Sequence, residues 1–383
     1  MQLLNKVVLE QEALAAFNIA SKEKTKVYFD VTTYDLRKNT GIERVVKELL
    51  TNLESCLPKS YVVIPVLVDI ENKTLCRARR VGYDWFAGEK LELTQNSFFL
   101  GACLNPFLTK VMKEVRESGC KSLIILYDLV YIKYPETMVS RKFSKVLIEW
   151  LRCISDYSTG VVAISKTVRD EYLQWLEQEK VKNIPLVDYF YLGCDFSDSN
   201  AKKINFPPEI NLKRLNLLSV STIEPRKDYP LLIDSFRSAL KKGFKANLFI
   251  VGRKGWGSDL DYLLKNTPFI YWFENSSDAI LSGLYSAADV FVSTSIYEGF
   301  GLPLLEASHY KLPLLLRNIP VYKELAEDQA LYFSNENELT EIFLRIGSED
   351  YCLKSNKLQL TSWLEATMKI ADLIVKIEGI PIR

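Results

Sequence analysis

The chain has 383 residues, 48% hydrophobic and 25% charged, with Lys+Arg 49 against Asp+Glu 48 and a formal net charge of +1. At about 150 residues per domain this is material for two or three cores, and a balance so near zero supplies no global field to draw in nucleic acid. One histidine, His309, excludes zinc helices, histidine cages and two-histidine acid–base pairs.

The seven cysteines form no C-x-x-C pair and read as reduced thiols of a cytoplasmic protein. No run approaches the roughly 18–20 apolar residues of a membrane span. The opening MQLLNKVVLEQEALAAF lacks the pattern of a secretion signal and predicts an amphipathic helix, read as a docked terminus in preference to a membrane contact.

From there, short β-branched runs alternate with longer helical stretches, the signature of βα units and parallel sheets. The first half predicts strands at Lys26–Val31, Tyr61–Asp69, Ser122–Tyr127, Gly160–Ile164 and Asp188–Leu192, with helices at Gly41–Leu53, Ser140–Ser155 and Lys166–Gln178. Thr40-Gly41-Ile42-Glu43 has the spacing of a capping box at the start of the first of these helices. A polar stretch holding Pro207-Pro208 marks a linker. The alternation restarts with strands at Leu215–Ser221, Ala246–Val251, Ile270–Phe273, Val290–Ser293 and Leu314–Arg317, and closes on an amphipathic helix near Leu360–Ile377. The expected division is a domain over 1–196, a linker over 197–214, a second domain over 215–357 and a helical tail over 358–383 packing back toward the first domain. In open α/β sheets ligands sit beyond the carboxyl ends of the strands, so the loops after strands carry the functional question.

Two such loops stand out. Ser293–Pro313 follows a strand and holds Glu298-Gly299-Phe300-Gly301-Leu302-Pro303, glycines for close backbone approach and a proline suited to a helix start. The free N–H groups of that helix make an anion site. Glu306, one turn in, is placed to accept both hydrogen bonds of a ribose cis-diol, and Glu298 faces the opposite side of a bound phosphate. A glycine-containing turn with two solvated acids has the same text. The second loop, after the strand Leu217–Val220, holds Arg226-Lys227, a bidentate fork beside a point charge, suited to a diphosphate.

EPRK in that setting, with YEGFGLPLLEA and its two glutamates separated by seven intervening residues, resembles the retaining glycosyltransferases of family 4. The likeness extends to FIVGRKGWG (Phe249–Gly257), LYSAADVFVS (Leu284–Ser293) and ALYF (Ala330–Phe333). DVTTYDLRKNTGIERVVKELL and LIILYDLVYIKYPE (Leu123–Glu136) are most similar to bacterial mannosyltransferases that build O-antigen or capsule. The resemblance implies a GT-B fold: two Rossmann-like, doubly wound α/β domains with a cleft between them and a C-terminal crossing helix. It places the acceptor on the first domain and the nucleotide-sugar on the second. It assigns Arg226 and Lys227 to the donor diphosphate, Glu298 to the donor sugar, the backbone of Phe300, Gly301 and Leu302 to anion binding, Glu306 to the ribose and Gly41 to the phosphate side of the cleft.

Two departures accompany it. Many members carry a His-Asp pair where this chain has Tyr127-Asp128, so no imidazole approaches the sugar, although the Tyr127 hydroxyl is a possible donor to it. The arginine common before EPRK is replaced by Ser221-Thr222, leaving more diphosphate charge to Arg226 and Lys227. Asp259-Leu260-Asp261 has the form of a metal D-x-D but precedes a helical run and reads as helix capping. No metal or other cofactor is expected. His309 reads as structural.

The expected activity is retaining transfer of a hexose from a nucleotide-sugar, GDP-mannose first and a UDP- or dTDP-sugar second, to a glycan or lipid-linked acceptor. Peripheral association with the inner face of the plasma membrane and partner glycosyltransferases are further expectations. A non-catalytic nucleotide-sugar-binding subunit and a NAD-dependent oxidoreductase are the alternatives; the latter lacks G-x-G-x-x-G after the first strand.

Overall fold

The structure is a computed structural model that describes residues 24–37, 40–195, 206, 210–257, 264, 267–274, 276–348 and 354–379. The opening amphipathic segment, Pro207-Pro208, Asp259-Leu260-Asp261 and Cys352 lie outside the described residues.

Among the described residues the first half forms an eight-stranded sheet. Its strands are β1 (Thr25–Asp30), β2 (Tyr61–Asp69), β3 (Thr74–Val81), β4 (Asp84–Lys90), β5 (Ser97–Gly101), β6 (Lys121–Leu126), β7 (Gly160–Ala163) and β8 (Leu186–Tyr189), in the order β4-β3-β2-β1-β5-β6-β7-β8. The hairpin pairs β2–β3 and β3–β4 are antiparallel, the remaining pairs parallel. Helices α1 (Gly41–Cys56), α2 (Met112–Glu117), α3 (Val130–Lys133), α4 (Arg141–Tyr157) and α5 (Lys166–Gln178) cover it. Central strands such as β6 are buried along almost their whole length, which is why they read as unbroken apolar runs.

Among the described residues the second half forms a six-stranded, wholly parallel sheet from β9 (Leu215–Val220), β10 (Ala246–Val251), β11 (Ile270–Phe273), β12 (Val290–Ser293), β13 (Leu314–Arg317) and β14 (Ala330–Phe333), ordered β11-β10-β9-β12-β13-β14. Its helices are α6 (Tyr229–Lys241), α7 (Asp278–Ala287), α8 (Leu302–His309), α9 (Pro320–Ala326) and α10 (Glu336–Ile346). The last helix, α11 (Trp363–Glu378), crosses back to pack on α1 and the first sheet. Thr25 Oγ1 donates to Glu378 at 3.1 Å, and Gly193 passes so close to Trp363 that a Cβ there would lie 2.4 Å from its backbone. Trp363, Ile370, Leu373, Ile374 and Ile377 join a core continuous between the two domains, each buried side chain stabilising by about 1.5–3 kcal/mol.

Three sequence expectations change. The hairpin β3–β4 and strand β5 were not anticipated. β3 carries Arg77, Arg79 and Arg80 beside the edge strand β4 and is exposed at its far end, and β5 is a five-residue run too short to assign by periodicity. The capping box at Thr40–Glu43 is not formed: Thr40 is the extended N-cap residue but its side chain makes no cap bond, and Glu43 lines a cavity. The capping box occurs at Ser362–Glu365, opening α11.

Both sheets reverse strand order once, between β1 and β5 and between β9 and β12. At such a point the two adjacent loops diverge to opposite faces and leave a crevice. This places the loops after β9 and β12 side by side.

Candidate active site

The loop after β9 forms a 3₁₀ turn, Pro225–Lys227, ending at Asp228 in the left-handed conformation with φ 50°. The loop after β12 runs beside it. Ile296 N donates to the Arg226 carbonyl at 2.8 Å and Thr294 Oγ1 to the Lys227 carbonyl at 2.7 Å. From the end of β13, Arg317 Nη1 ties both loops, reaching Asp228 Oδ2 at 2.5 Å and the Thr294 carbonyl at 3.1 Å.

The two candidate cations and the first candidate acid meet in this crevice. Arg226 Nη1 donates to Glu298 Oε2 at 2.8 Å and to the Tyr297 carbonyl at 3.2 Å, while its Nε pairs with Glu224. Lys227 Nζ contacts the other Glu298 oxygen, which also accepts from Ser295 Oγ at 2.8 Å. Burial alone would raise the Glu298 carboxyl, but Lys227 and Arg226 outweigh it and hold it at about 2. Burial works against the charge on Arg226, and Glu298, Glu224 and Asp128 reverse that effect, so the guanidinium stays protonated. Lys227 is pushed below the usual lysine range by burial and by Arg226.

Phe300, Gly301 and Leu302 follow directly. Gly301 is the N-cap of α8 with φ 110°, a left-handed conformation that an L side chain resists, and a Cβ there would lie 3.0 Å from the Tyr322 ring. Phe300 is buried with its ring 5.8 Å from that of Tyr191. The start of α8 thus opens at the carboxyl edge of β12, where its first N–H groups lack intrahelical partners. Gly41, at the start of α1, packs against it, with Leu302 Cδ1 3.4 Å from where a Gly41 Cβ would lie.

Glu306, one turn into α8, is 7% exposed. It accepts from Tyr285 Oη at 2.7 Å and, across the cleft, from Arg44 Nη1 of α1 at 2.9 Å. Neither partner, nor Glu224 beside Arg226, was singled out from sequence. Arg44 and Glu306 are 262 positions apart, and no local pattern pairs them.

The first domain supplies the facing wall. Gly299 touches it directly: a Cβ there would sit 1.9 Å from the Tyr127 carbonyl oxygen and 3.1 Å from Asp128 Cβ. Asp128 Oδ1 accepts from Val130 N at 3.1 Å, and burial raises its carboxyl while Arg226 opposes the shift. The expectation for Tyr127 is corrected. Its ring is buried in the first-domain core, and its hydroxyl donates to the Ala102 carbonyl at 2.5 Å, so the side chain offers nothing to the cleft. A cavity of about 230 Å³ at the β1/β5 switch point is lined by Thr33, Tyr34, Thr40, Glu43 and Cys103, with Arg253 closing it from the second domain. His309 stacks edge-on against Tyr310, at 5.2 Å.

Two doubly wound domains facing across a cleft, with a cation pair and a helix start at the second sheet's switch point, define a GT-B architecture. HepE of Anabaena, solved in complex with UDP-glucose, has this fold with a TM-score of 0.61 at 14% identity, over 92% of this chain and 97% of that one. Sucrose-phosphate synthase from Thermosynechococcus elongatus matches with a TM-score of 0.59 at 15% identity, over 92% and 94% of the two chains. Residues 200–342 match the family described as Glycosyl transferases group 1. The chain's homologues include the serotype-specific mannosyltransferase WbdA of Escherichia coli, 32% identical over 289 residues, 70% of this chain and 35% of that protein. The E. coli O-antigen biosynthesis glycosyltransferase WclY is 30% identical over 247 residues, 61% of this chain and 64% of that protein. The chain thus spans about a third of the length of WbdA, matching 35% of it.

Proposed function

We propose that the chain is a glycosyltransferase of bacterial surface polysaccharide synthesis. It moves a hexose from a nucleotide-sugar, mannose from GDP-mannose in the first instance, to a glycan or lipid-linked glycan. The observation that carries this reading is the convergence of Arg226, Lys227, Glu298 and the α8 start in one crevice facing Tyr127–Asp128 and Gly41. The mannosyltransferase relatives support the sugar.

In this reading the donor diphosphate lies between the Arg226–Lys227 pair and the first N–H groups of α8. The bond between the anomeric carbon and the diphosphate oxygen breaks through an oxocarbenium-like state. Charge grows on the departing diphosphate, and fixed cations and helix N–H groups stabilise it without reorganising. These groups act without a metal. The acceptor oxygen attacks the anomeric carbon from the face the diphosphate leaves, its proton passes to a diphosphate oxygen, and configuration is retained. Glu298 orients the sugar as well as anchoring the cations; Glu306 takes the ribose hydroxyls. The acceptor occupies the first-domain side, where the cavity at the β1/β5 switch point opens. Work on a lipid-linked acceptor places the chain at the inner face of the plasma membrane, beside partner transferases; no described helix is long and apolar enough to cross that membrane.

The test is release of GDP from GDP-mannose by the purified chain, with and without a lipid-linked glycan, beside a thermal-shift panel of nucleotide-sugars. Absence of any shift with every nucleotide-sugar sinks the proposal. The inward-turned Tyr127 favours one second reading, a nucleotide-sugar-binding subunit without turnover of its own. Binding in the panel without donor hydrolysis or transfer selects it.

A further inference from the structure

Glu306 is held by donors from both domains. Tyr285 of α7 bonds Oε2 at 2.7 Å and Arg44 of α1 bonds Oε1 at 2.9 Å. Arg44 is braced from behind by the Asp195 carbonyl at 3.4 Å, and the Asp195 carboxylate in turn accepts from the first N–H of α11 at 2.8 Å. The Arg44 guanidinium is therefore fixed by the loop after β8 as well as by α1. A carboxylate has about four acceptor directions. With two filled, one remains on each oxygen, the number a cis-diol requires, and the plane of the carboxylate is set.

Electrostatics points the same way. Burial pushes the Glu306 carboxyl up, and Arg44 is the largest opposing influence, followed by the Tyr285 hydrogen bond. Asp278 of α7 adds to burial, and the Cys194 thiol after β8 is itself pushed up by burial and by Glu306. Among the charged groups facing Glu306, Arg44 is the cation, and it comes from the other domain.

We propose that Arg44 is a positioning residue for the donor nucleotide: reaching across the cleft, it holds Glu306 in the orientation that accepts the ribose diol, so that only the closed arrangement of the two domains presents the complete ribose site. This rests on the reading of Glu306 as the ribose acid. The carboxylate disappears as pH falls through its raised value, and loss of Arg44 raises that value further. Nucleotide binding then fails at a higher pH.

The experiment is calorimetric titration of the full chain with GDP and 2′,3′-dideoxy-GDP (the UDP pair if GDP does not bind) between pH 5 and 8.5. It compares wild type, Arg44→Ala, Arg44→Lys and Glu306→Gln. Arg44→Ala is expected to weaken the ribonucleotide at least about tenfold, in keeping with loss of a charged hydrogen bond, to bind the dideoxynucleotide as before, and to move the acidic limb upward. Arg44→Lys restores the limb and part of the preference. Equal weakening of both nucleotides by Arg44→Ala with an unmoved limb, or no change in either, overturns the inference. If wild type and Glu306→Gln do not discriminate the two nucleotides, Glu306 is not the ribose acid, and the inference goes with that assignment. If neither GDP nor UDP binds wild type, the nucleotide reading itself falls.

Discussion

Arg226, Lys227, Glu298 and Glu306 divide into two electrostatic situations with opposite pH behaviour. Glu298 is held at about 2 by the two cations despite its burial, so it stays ionised through any working pH. Glu306 is raised by burial against the pull of Arg44, so of these two acids it protonates first as pH falls. The acidic limb of nucleotide binding is therefore expected to vanish in Glu306→Gln and to survive in Glu298→Gln; titration across pH reads this directly. Replacing Arg226 or Lys227 by alanine removes a fixed charge from the leaving group and is expected to lower transfer about a hundredfold or more, measured as kcat with GDP-mannose. Turnover near that of the wild type would remove both from the catalytic role. The types and spacing of these four residues were legible in sequence. The contact of Glu298 with both cations was not, because it depends on two loops 72 positions apart lying at one switch point.

At the scale of elements, the loop after β12 meets the loop after β6 through Gly299. A methyl group there would lie 1.9 Å from the Tyr127 carbonyl oxygen, an obstacle of backbone that has no rotamer to yield. Gly299→Ala is expected to force the loops apart by about an ångström and to cost roughly a hundredfold in transfer. The thermal midpoint should move less than the rate, since the clash falls where two loops meet and leaves both sheets in place. Kinetics beside thermal unfolding separates this from general destabilisation; a large fall in the midpoint would show that the glycine serves the fold. The long, strongly apolar strands were readable in sequence because burial on both faces removes any competing pattern. The hairpin β3–β4 was not, since its edge position permits arginines and leaves Val81, Tyr83 and Phe86 exposed. The Thr40–Glu43 spacing forms no capping box because the Thr40 side chain makes no cap bond, an orientation the spacing does not write.

For the whole molecule, the cleft is held by a few polar ties. Glu324 of α9 accepts from Lys166 N at 2.8 Å and Thr167 N at 2.7 Å, at the start of α5 in the other domain. Tyr297 donates to Glu171 at 2.7 Å, and Trp256 Nε1 to the Thr137 carbonyl at 2.9 Å. Each is worth about 1–2 kcal/mol at most, roughly five- to thirtyfold in a closing equilibrium. Glu324→Ala is expected to enlarge the radius of gyration in small-angle scattering and to raise the KM for donor several-fold with little change in kcat. An unchanged scattering profile would show that α11 and the remaining ties hold the domains closed without Glu324.

Sequence by itself determined the alternation of strand and helix, the restart that marks a second domain, and the chemical character of the two loops that hold Arg226-Lys227 and Glu298–Glu306. These are local properties, written in periodicity, glycine placement and charge. Only the tertiary structure decided that Tyr127 turns its hydroxyl into the core, that Glu298 bridges two cations, and that Arg44 crosses the cleft to Glu306. Those outcomes follow from strand order and domain packing, which bring distant residues within hydrogen-bonding reach and leave no trace in the spacing of neighbours.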